Sequence, residues 1–347
     1  MAAELRIAVA GAGLIGRRHI AAIGRTPGVA LAAVVDPAGF PDAGVPVHRD
    51  LDALFSAGGI DGVILATPNA MHVPGARACI ARGLPVLVEK PLSDDLPAAR
   101  ALVAEADRAA VPVLVGHHRR HNPLITQAKT LIEGGAIGTP RAAQVTCWLA
   151  KPDDYFTAAP WRGQPGAGPI SVNMVHDVDV LRHLLGEVTE VRAQSAPSRR
   201  GHANEDVATA LLRFASGALA TLSVSDAIAA PWSWELTARE NPAYVATDQS
   251  CCLIGGSEGS LSLPDLRLWR HEGAPDWFTA IGALQHPRPQ ADPLEAQIAH
   301  FAEVIRGAPP LVSGAEGLAT LEVVEAIAVA ARTGQTVTPG LHARDAA

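Results

Sequence analysis

Over the first third of the chain, short apolar runs rich in Val, Ile and Ala alternate with stretches whose apolar positions recur at helical spacing. Residues 5–10, 30–35, 62–66, 85–88 and 112–115 carry the strand pattern, and 17–24, 73–82 and 96–109 the helical one. Strands regularly separated by helices predict a parallel, doubly wound sheet. The rhythm changes after Asn122-Pro123. A helix over 124–133 is followed by strand patterns at 142–149, 190–195, 207–214 and 219–225 with few helices between them, which predicts antiparallel meander geometry. Residues 253–263 carry Gly255, Gly256 and Gly259 and read as a hairpin. Residues 293–306 and 314–333 read as helices, the former a candidate to pack back on the sheet, and the short tail beyond Gly340 reads as loose. The expected fold is α/β: an N-terminal Rossmann-type parallel sheet over residues 1–122 and a second α/β domain over 123–347.

Size and composition agree with two folded domains. At 347 residues the chain exceeds the length at which one hydrophobic core usually stops growing. Hydrophobic residues make up 48% and charged residues 18%, ordinary globular proportions that exclude a disordered chain. The 28 basic and 35 acidic residues give a net charge of −7 with no basic block, Arg199 and Arg200 being only a pair, so no nucleic-acid partner is expected. No apolar run approaches the roughly 20 residues a membrane helix needs, so no membrane association is expected. The opening MAAELRIAVAG passes straight into a strand pattern without an apolar signal segment, and a cytoplasmic protein is expected. The four cysteines, at 79, 147, 251 and 252, include no C-x-x-C pair, which argues against a disulfide framework and against a zinc site.

The first strand runs into Gly11-Ala12-Gly13-Leu14-Ile15-Gly16, and a helical stretch follows. In a strand–turn–helix context the glycines have separate tasks. Gly11 permits the turn, Gly13 lets the backbone approach a pyrophosphate, and Gly16 lets the helix pack closely on the strand. The helix N-terminus offers free N–H groups to the phosphates. The second strand ends in Asp36, twenty positions after Gly16, where the fingerprint places the carboxylate that bonds the adenosine ribose. A carboxylate there repels a 2′-phosphate, and no Arg follows in Pro37-Ala38-Gly39, so NAD is expected in preference to NADP. Ligands of parallel sheets lie beyond the carboxyl ends of the strands. The segments expected to face the cofactor are therefore Ala66-Thr67-Pro68-Asn69, Glu89-Lys90-Pro91 and Gly116-His117-His118-Arg119-Arg120.

Besides GAGLIG at 11–16, the chain carries ATPNAMH at 66–72, VEKPL at 88–92, VGHHRRHNP at 115–123, WRG at 161–163 and GAGPISVNMVHDVDVLRHLLG at 166–186. This combination, in this order and over nearly the whole chain, resembles the Gfo/Idh/MocA family, the relatives of glucose-fructose oxidoreductase and inositol dehydrogenase. The resemblance implies a Rossmann domain followed by an α/β domain on an open, mostly antiparallel sheet. The exposed face of that sheet often forms the oligomer interface, so a homodimer or homotetramer is implied. It also implies NAD(P)-dependent hydride transfer to or from a secondary alcohol of a sugar, polyol, cyclitol or related compound. Carried over to matching positions, Lys90 sits between the nicotinamide and the reacting hydroxyl, and His176 is the acid/base. Pro68, Asn69 and His72 line the cofactor, and Glu89 lies near it. One position departs from the pattern. Many members carry Asp four residues before the catalytic histidine; here that position is Val172, with Asn173 beside it, which removes the carboxylate a direct Asp–His relay would use.

Hydride transfer from an alcohol carbon needs a positioned base for the hydroxyl proton, while the redox work belongs to the cofactor. Imidazole has a reference pKa of about 6.5 and takes a proton near neutrality without tuning, whereas a lysine amine starts near 10.4. Proton transfer is therefore assigned to His176, and Lys90, protonated, to orienting the hydroxyl and stabilising alkoxide charge. On a helix over 171–185, Met174, Val178, Leu181 and Leu185 form an apolar stripe, and Asn173, His176 and Asp179 lie three apart beside it. Asp179 is a candidate to orient His176, and Asn173 to bind substrate.

His117, His118, Arg119, Arg120 and His121 cluster at a strand end, where no carboxylate has ligand spacing, so no metal is expected. Arg119 or Arg120 serves either a carboxylated or polyhydroxylated substrate or an interdomain salt bridge. Lys151, Tyr155, Trp161 and Arg162 come from a Pro/Gly-rich stretch expected to overlie the pocket, with Trp161 a packing anchor or a sugar-stacking surface. Two further readings stay open. One is an enzyme that uses tightly bound NAD transiently for elimination or epimerisation; the other is an NAD-binding regulator without catalysis, against which intact Lys90 and His176 argue.

Overall fold

The apolar runs of the first third become the strands of one parallel sheet in the computed structural model, which describes residues 4–41 and 44–341. From residue 342 onward, the tail expected to be loose lies outside the described residues. The strands are β1 (Leu5–Ala10), β2 (Val29–Val35), β3 (Val47–His48), β4 (Gly62–Leu65), β5 (Val86–Val88) and β6 (Val113–Val115). They stand in the order β3-β2-β1-β4-β5-β6, the doubly wound Rossmann order, with every neighbouring pair parallel.

Side chains leave each strand alternately toward two faces. Ile7, Val9, Ile64, Leu87 and Leu114 enter one core with Ala22 and Ile23 of α1 (Leu14–Ile23). Ala8, Val63, Leu65, Val86, Val88, Val113 and Val115 enter another. There they meet Leu54 of α2 (Leu51–Ala57), Val73 and Ala76 of α3 (His72–Ile80) and Leu102 of α4 (Leu96–Ala109). Burial on both faces is the reason these strands read as continuous apolar runs. β3 and α2 escape the sequence pattern. Two residues are too few for a period, and α2 buries only Leu54, its start being set by Asp50, whose carboxylate accepts the Ala53 N–H.

A second domain running unbroken over 123–347 is not what the contacts give. They group Ala291–Leu321 with the chain up to His121, and Asn122–Gln290 with the chain from Glu322 onward. The cause is the apolar stripe of the helix Pro293–Ile305, whose Leu294, Ile298 and Phe301 are buried among Ile7, Val9, Ile64 and Leu87 of the parallel sheet. Gly62 makes that approach feasible, since a Cβ there would lie 2.8 Å from Ile305 Cδ1.

The second unit is built on eight strands. α5 (Pro123–Glu133) opens it, capped by the Asn122 side chain, which accepts the Leu124 N–H, with proline at the first helical position. Then come β7 (Pro140–Trp148), α6 (Asp153–Thr157), α7 (Val175–Leu185), β8 (Val188–Pro197), β9 (Glu205–Phe214), β10 (Leu219–Ser225) and α8 (Trp234–Thr237). β11 (Cys252–Gly256), β12 (Gly259–Leu263), β13 (Arg267–His271) and β14 (Ile281–Gln285) follow; the element order ends with α9 (Pro293–Ile305), which groups with the first unit, and α10 (Gly314–Thr333), which the grouping divides after Leu321.

The sheet order is β14-β13-β12-β11-β7-β10-β9-β8. All neighbours are antiparallel except β7 and β10, which run parallel at the centre, so the sheet is mostly antiparallel, as expected, with two meanders meeting at a parallel seam. The inner face packs Val145, Cys147, Ala210, Leu212, Leu222 and Val224 against Val178, Leu181 and Leu185 of α7 and Ile125 and Ala128 of α5. β14 is exposed along its whole length, so it lacks the in-and-out alternation that makes a strand legible. No helix among the described residues is long and apolar enough to cross a membrane.

Candidate active site

The turn after β1 is shaped by its glycines in three different ways. Gly11 sits at φ +92°, and a Cβ on it would lie 2.4 Å from the Ala66 carbonyl oxygen at the end of β4. A Cβ on Gly16 would come within 1.8 Å of the Gly11 carbonyl oxygen, so only glycine lets α1 settle onto the turn. Gly13 has nothing within 4 Å of that position and faces open space. No side chain caps α1 at Gly13, which leaves the first-turn N–H groups without a side-chain acceptor, and Leu14 beside it is 78% exposed. Ile15 is half-buried.

Asp36 closes this turn from the end of β2. One carboxylate oxygen accepts the Ala12 N–H at 2.8 Å and the other the Ala38 N–H at 2.9 Å. Arg17 donates to the Ala12 carbonyl at 2.9 Å and lies 5.0 Å over the Phe40 ring. β1 and β4 are the strands where the sheet order reverses, and Thr67, Pro68 and Asn69 follow β4 directly. Thr67 Oγ1 is buried without a hydrogen-bond partner among the described residues, whereas Pro68 and Asn69 are exposed. An open glycine, uncapped helix N–H groups and an orphaned hydroxyl at one strand-order reversal fit a dinucleotide.

The next strand end holds Glu89 and Lys90. Glu89 is 5% exposed and turned inward: its Oε1 lies 2.7 Å from Nε2 of the fully buried His19 of α1, and its Oε2 accepts the Lys90 N–H at 3.1 Å. His72 is buried, and its ring nitrogens lie 2.8 Å from the Pro91 carbonyl and 3.0 Å from the Thr67 carbonyl. Glu89 and His72, expected at the cofactor, are thus both engaged with neighbouring protein groups. Lys90 itself is half-buried.

Beyond β6, His117, Arg119 and Arg120 are buried, and Arg120 pairs with Glu316 at 2.9 Å. That pairing occupies a guanidinium expected to meet substrate or to bridge domains. The His121 and His300 rings stand 5.3 Å apart.

In the second unit, the segment 170–185 is helical but begins with a π-turn over Ile170–Met174 before α7. Glu205 anchors its start by accepting the Ile170 N–H at 3.1 Å, and Gly168 leaves room for that carboxyl, which a Cβ would meet at 2.2 Å. The expected stripe of Met174, Val178, Leu181 and Leu185 is buried, and so are Asn173, His176 and Asp179, so this helix is enclosed on its polar side too.

Asn173 Oδ1 accepts a hydrogen bond from Lys151 Nζ at 2.8 Å. That amine also lies 3.8 Å from Asp226 and 5.1 Å over the Tyr155 ring. Arg200 completes the group at 3.3 Å from Asp226, donating also to the Lys151 carbonyl at 2.8 Å. Burial pushes the Lys151 amine below its usual range, with Asp226 pulling the other way; burial likewise pushes the Asp226 carboxyl up, against Lys151 and Arg200. Arg162 lies 3.9 Å over Tyr155 and donates to its carbonyl at 2.7 Å, while Trp161 is 59% exposed.

The sequence places Lys151 in the stretch expected to overlie the pocket, shows Arg200 only as one of a basic pair, and does not single out Asp226. They meet Asn173 from distant parts of the chain, and no local spacing announces them.

Two family descriptions match this chain. One, an oxidoreductase family with an NAD-binding Rossmann fold, covers residues 5–117, and the other, a GFO/IDH/MocA C-terminal domain, covers residues 125–262. D-apiose dehydrogenase of Paraburkholderia graminis is 30% identical over 95% of this chain and 88% of its own. Inositol 2-dehydrogenase 4 of Saccharopolyspora erythraea is 34% identical over 64% of this chain and 67% of its own. Among solved structures, an oxidoreductase from Agrobacterium radiobacter in complex with NAD+, L-tartaric acid and magnesium is 25% identical with a TM-score of 0.81, covering 96% of this chain and 98% of the other.

Proposed function

The chain belongs to the GFO/IDH/MocA oxidoreductase family, and from that premise we propose that it transfers a hydride between NAD and the CH–OH carbon of a sugar, polyol or cyclitol. The observation that carries the reading is the turn after β1, where Gly13 is open while Gly11 and Gly16 are each closed to any side chain. Gly11, Gly13, Leu14, Ile15 and Gly16 would hold the pyrophosphate, and Asp36, Thr67, Pro68 and Asn69 the nucleosides. NAD bound there supplies the hydride acceptor. Asp36 favours NAD over NADP, because a 2′-phosphate would approach a carboxylate that already orders the turn through Ala12.

Lys90, at the end of β5, orients the reacting hydroxyl and stabilises alkoxide charge. His176, near the start of α7, takes and returns the hydroxyl proton. Asn173 binds substrate through its amide nitrogen, because the Lys151 ammonium has only donors and so fixes the amide oxygen toward itself. Val172 leaves no carboxylate one turn before His176, and Asp179 is the acid one turn after it. Trp161 and Arg162 contribute the loop that flanks substrate, with Arg162 bracing Tyr155. Arg120 supports the fold instead, through Glu316, and Arg119 is buried next to it in the turn after β6. Leu211, Leu219 and Leu253 on the outer face of the eight-stranded sheet are 40%, 40% and 50% exposed, which supports assembly as a homodimer or homotetramer.

The names of the relatives, an apiose and an inositol dehydrogenase, support the substrate class. The test is NADH or NADPH formation, followed by absorbance, across sugars, cyclitols, sugar acids and lactones. Turnover with NAD on one compound class is expected. Lys90→Ala and His176→Ala should each slow it about a hundredfold or more while leaving NAD affinity nearly intact; wild-type rates in both would remove the assignment.

A further inference from the structure

We infer that Glu89, braced by His19, is a positioning residue for Lys90: it fixes the main chain from which the lysine side chain springs and carries a fixed negative charge on the neighbouring residue. This rests on the reading of Lys90 as the group that orients the reacting hydroxyl.

The carboxylate is held from three sides. His19 reaches it from α1 at 2.7 Å, with both side chains almost wholly enclosed at 0% and 6% exposure. The Lys90 N–H donates to its other oxygen at 3.1 Å. Its floor is Gly116, just past β6, where a Cβ would lie 2.9 Å from Glu89 Cδ and 3.0 Å from Glu89 Cα. His72 pins the following carbonyl, that of Pro91, at 2.8 Å, so the segment 89–91 is tied at both ends by buried imidazoles. α1 is also the helix whose first turn forms the glycine loop, so His19 links the dinucleotide turn to the strand end that carries Lys90.

A carboxylate in such a place needs a reason. A buried ion pair is often no more stabilising than apolar side chains of the same volume, and an apolar pair would fill this space as well. Burial alone would raise the Glu89 carboxyl, but the His19 hydrogen bond and the electrostatic pull of His19, His118 and Lys90 outweigh it and bring it to about 2, so the site holds a permanent negative charge at neutral pH. These three groups act on it from α1, from the turn after β6 and from its own neighbour. A cationic nicotinamide would otherwise drive the proton off the lysine; a fixed anion one residue away opposes that.

The chain has only three lysines, Lys90, Lys129 and Lys151, so reductive 13C-methylation of the whole protein gives lysine resonances few enough to assign by loss in Lys90→Arg. Titrating them in wild type and Glu89→Gln, with and without NAD+, should show the Lys90 midpoint lower by about one pH unit in the variant. Its kcat at neutral pH should fall about tenfold while the Kd for NAD+ stays within about twofold. His19→Gln, which keeps a donor toward the carboxylate, should retain more activity than His19→Ala. Should Glu89→Gln fold poorly, Gly116→Ala displaces the carboxylate without removing it and should move the Lys90 midpoint in the same direction.

An unchanged Lys90 midpoint in Glu89→Gln or Gly116→Ala would overturn the inference, as would kcat and NAD+ affinity falling together. The titration reads Lys90 without turnover. Wild-type activity in Lys90→Ala would sink the catalytic reading and leave the titration result standing on its own.

Discussion

The dinucleotide turn and the group around Asn173 are built on opposite principles. The turn is made by six consecutive residues and one carboxylate twenty positions on, and its geometry is carried by main chain: the Gly11 φ of +92°, the Ala12 N–H on Asp36, and helix N–H groups left without a cap. The Asn173 group is made by side chains from four places, Lys151, Asn173, Arg200 and Asp226, held at distances from 2.8 to 3.8 Å by the packing of the second unit. A backbone site tolerates any side chain that stays out of its way and none that enters. A buried side-chain network instead fails when one member is removed, because the others are left unpaired.

The sharpest way to break this comparison is at the glycines. Gly16→Ala places a methyl 1.8 Å from the Gly11 carbonyl oxygen, so it should both destabilise the fold and weaken NAD binding about a thousandfold. Gly13→Ala meets no protein atom, so its thermal unfolding should match wild type while NAD binding still falls about tenfold, the methyl occupying the path of the phosphates. Calorimetric melting and titration of NAD read both. Equal effects of the two variants would show that the turn does not divide its tasks as the geometry does.

In the second unit, Lys151→Met removes the partner of Asn173 and should raise the KM for substrate about tenfold or more, with the Kd for NAD unchanged. The pH dependence has a definite sign. Burial lowers the folded-state pKa of Lys151 below its unfolded value of 10.5, so the folded protein binds fewer protons than the unfolded chain between the two values. Stability of wild type relative to Lys151→Met should therefore rise with pH through that window. A fall would mean that Asp226 outweighs burial. The smallest effect is expected at Asp36. On the proposed preference for NAD, Asp36→Ala should move the ratio of the NAD and NADP dissociation constants toward NADP by about threefold, and an unchanged ratio would remove Asp36 from cofactor choice.

The same contrast explains what the sequence discloses. The parallel sheet is legible because strands buried on both faces are written as apolar runs, and Gly11, Gly13, Gly16 and Asp36 because spacing alone sets their geometry. Glu89 and His72 are legible as motif members but not in their orientation. A motif places them at strand ends without saying that Glu89 turns inward to His19, or that His72 spans two carbonyls. The return of α9 to the first unit and the parallel seam of β7 with β10 are long-range choices. The apolar stripe of Leu294, Ile298 and Phe301 predicts that α9 must pack, not on which sheet. Lys151 is legible as part of a stretch over the pocket, but its bond to Asn173 is not.

The central claim, direct hydride transfer to NAD, is tested most directly by isotope. With a substrate deuterated at its carbinol carbon and unlabelled NAD+, the account predicts NADH heavier by one deuterium, together with a slowed hydride step. NADH formed without the label, or label lost to water, would contradict it.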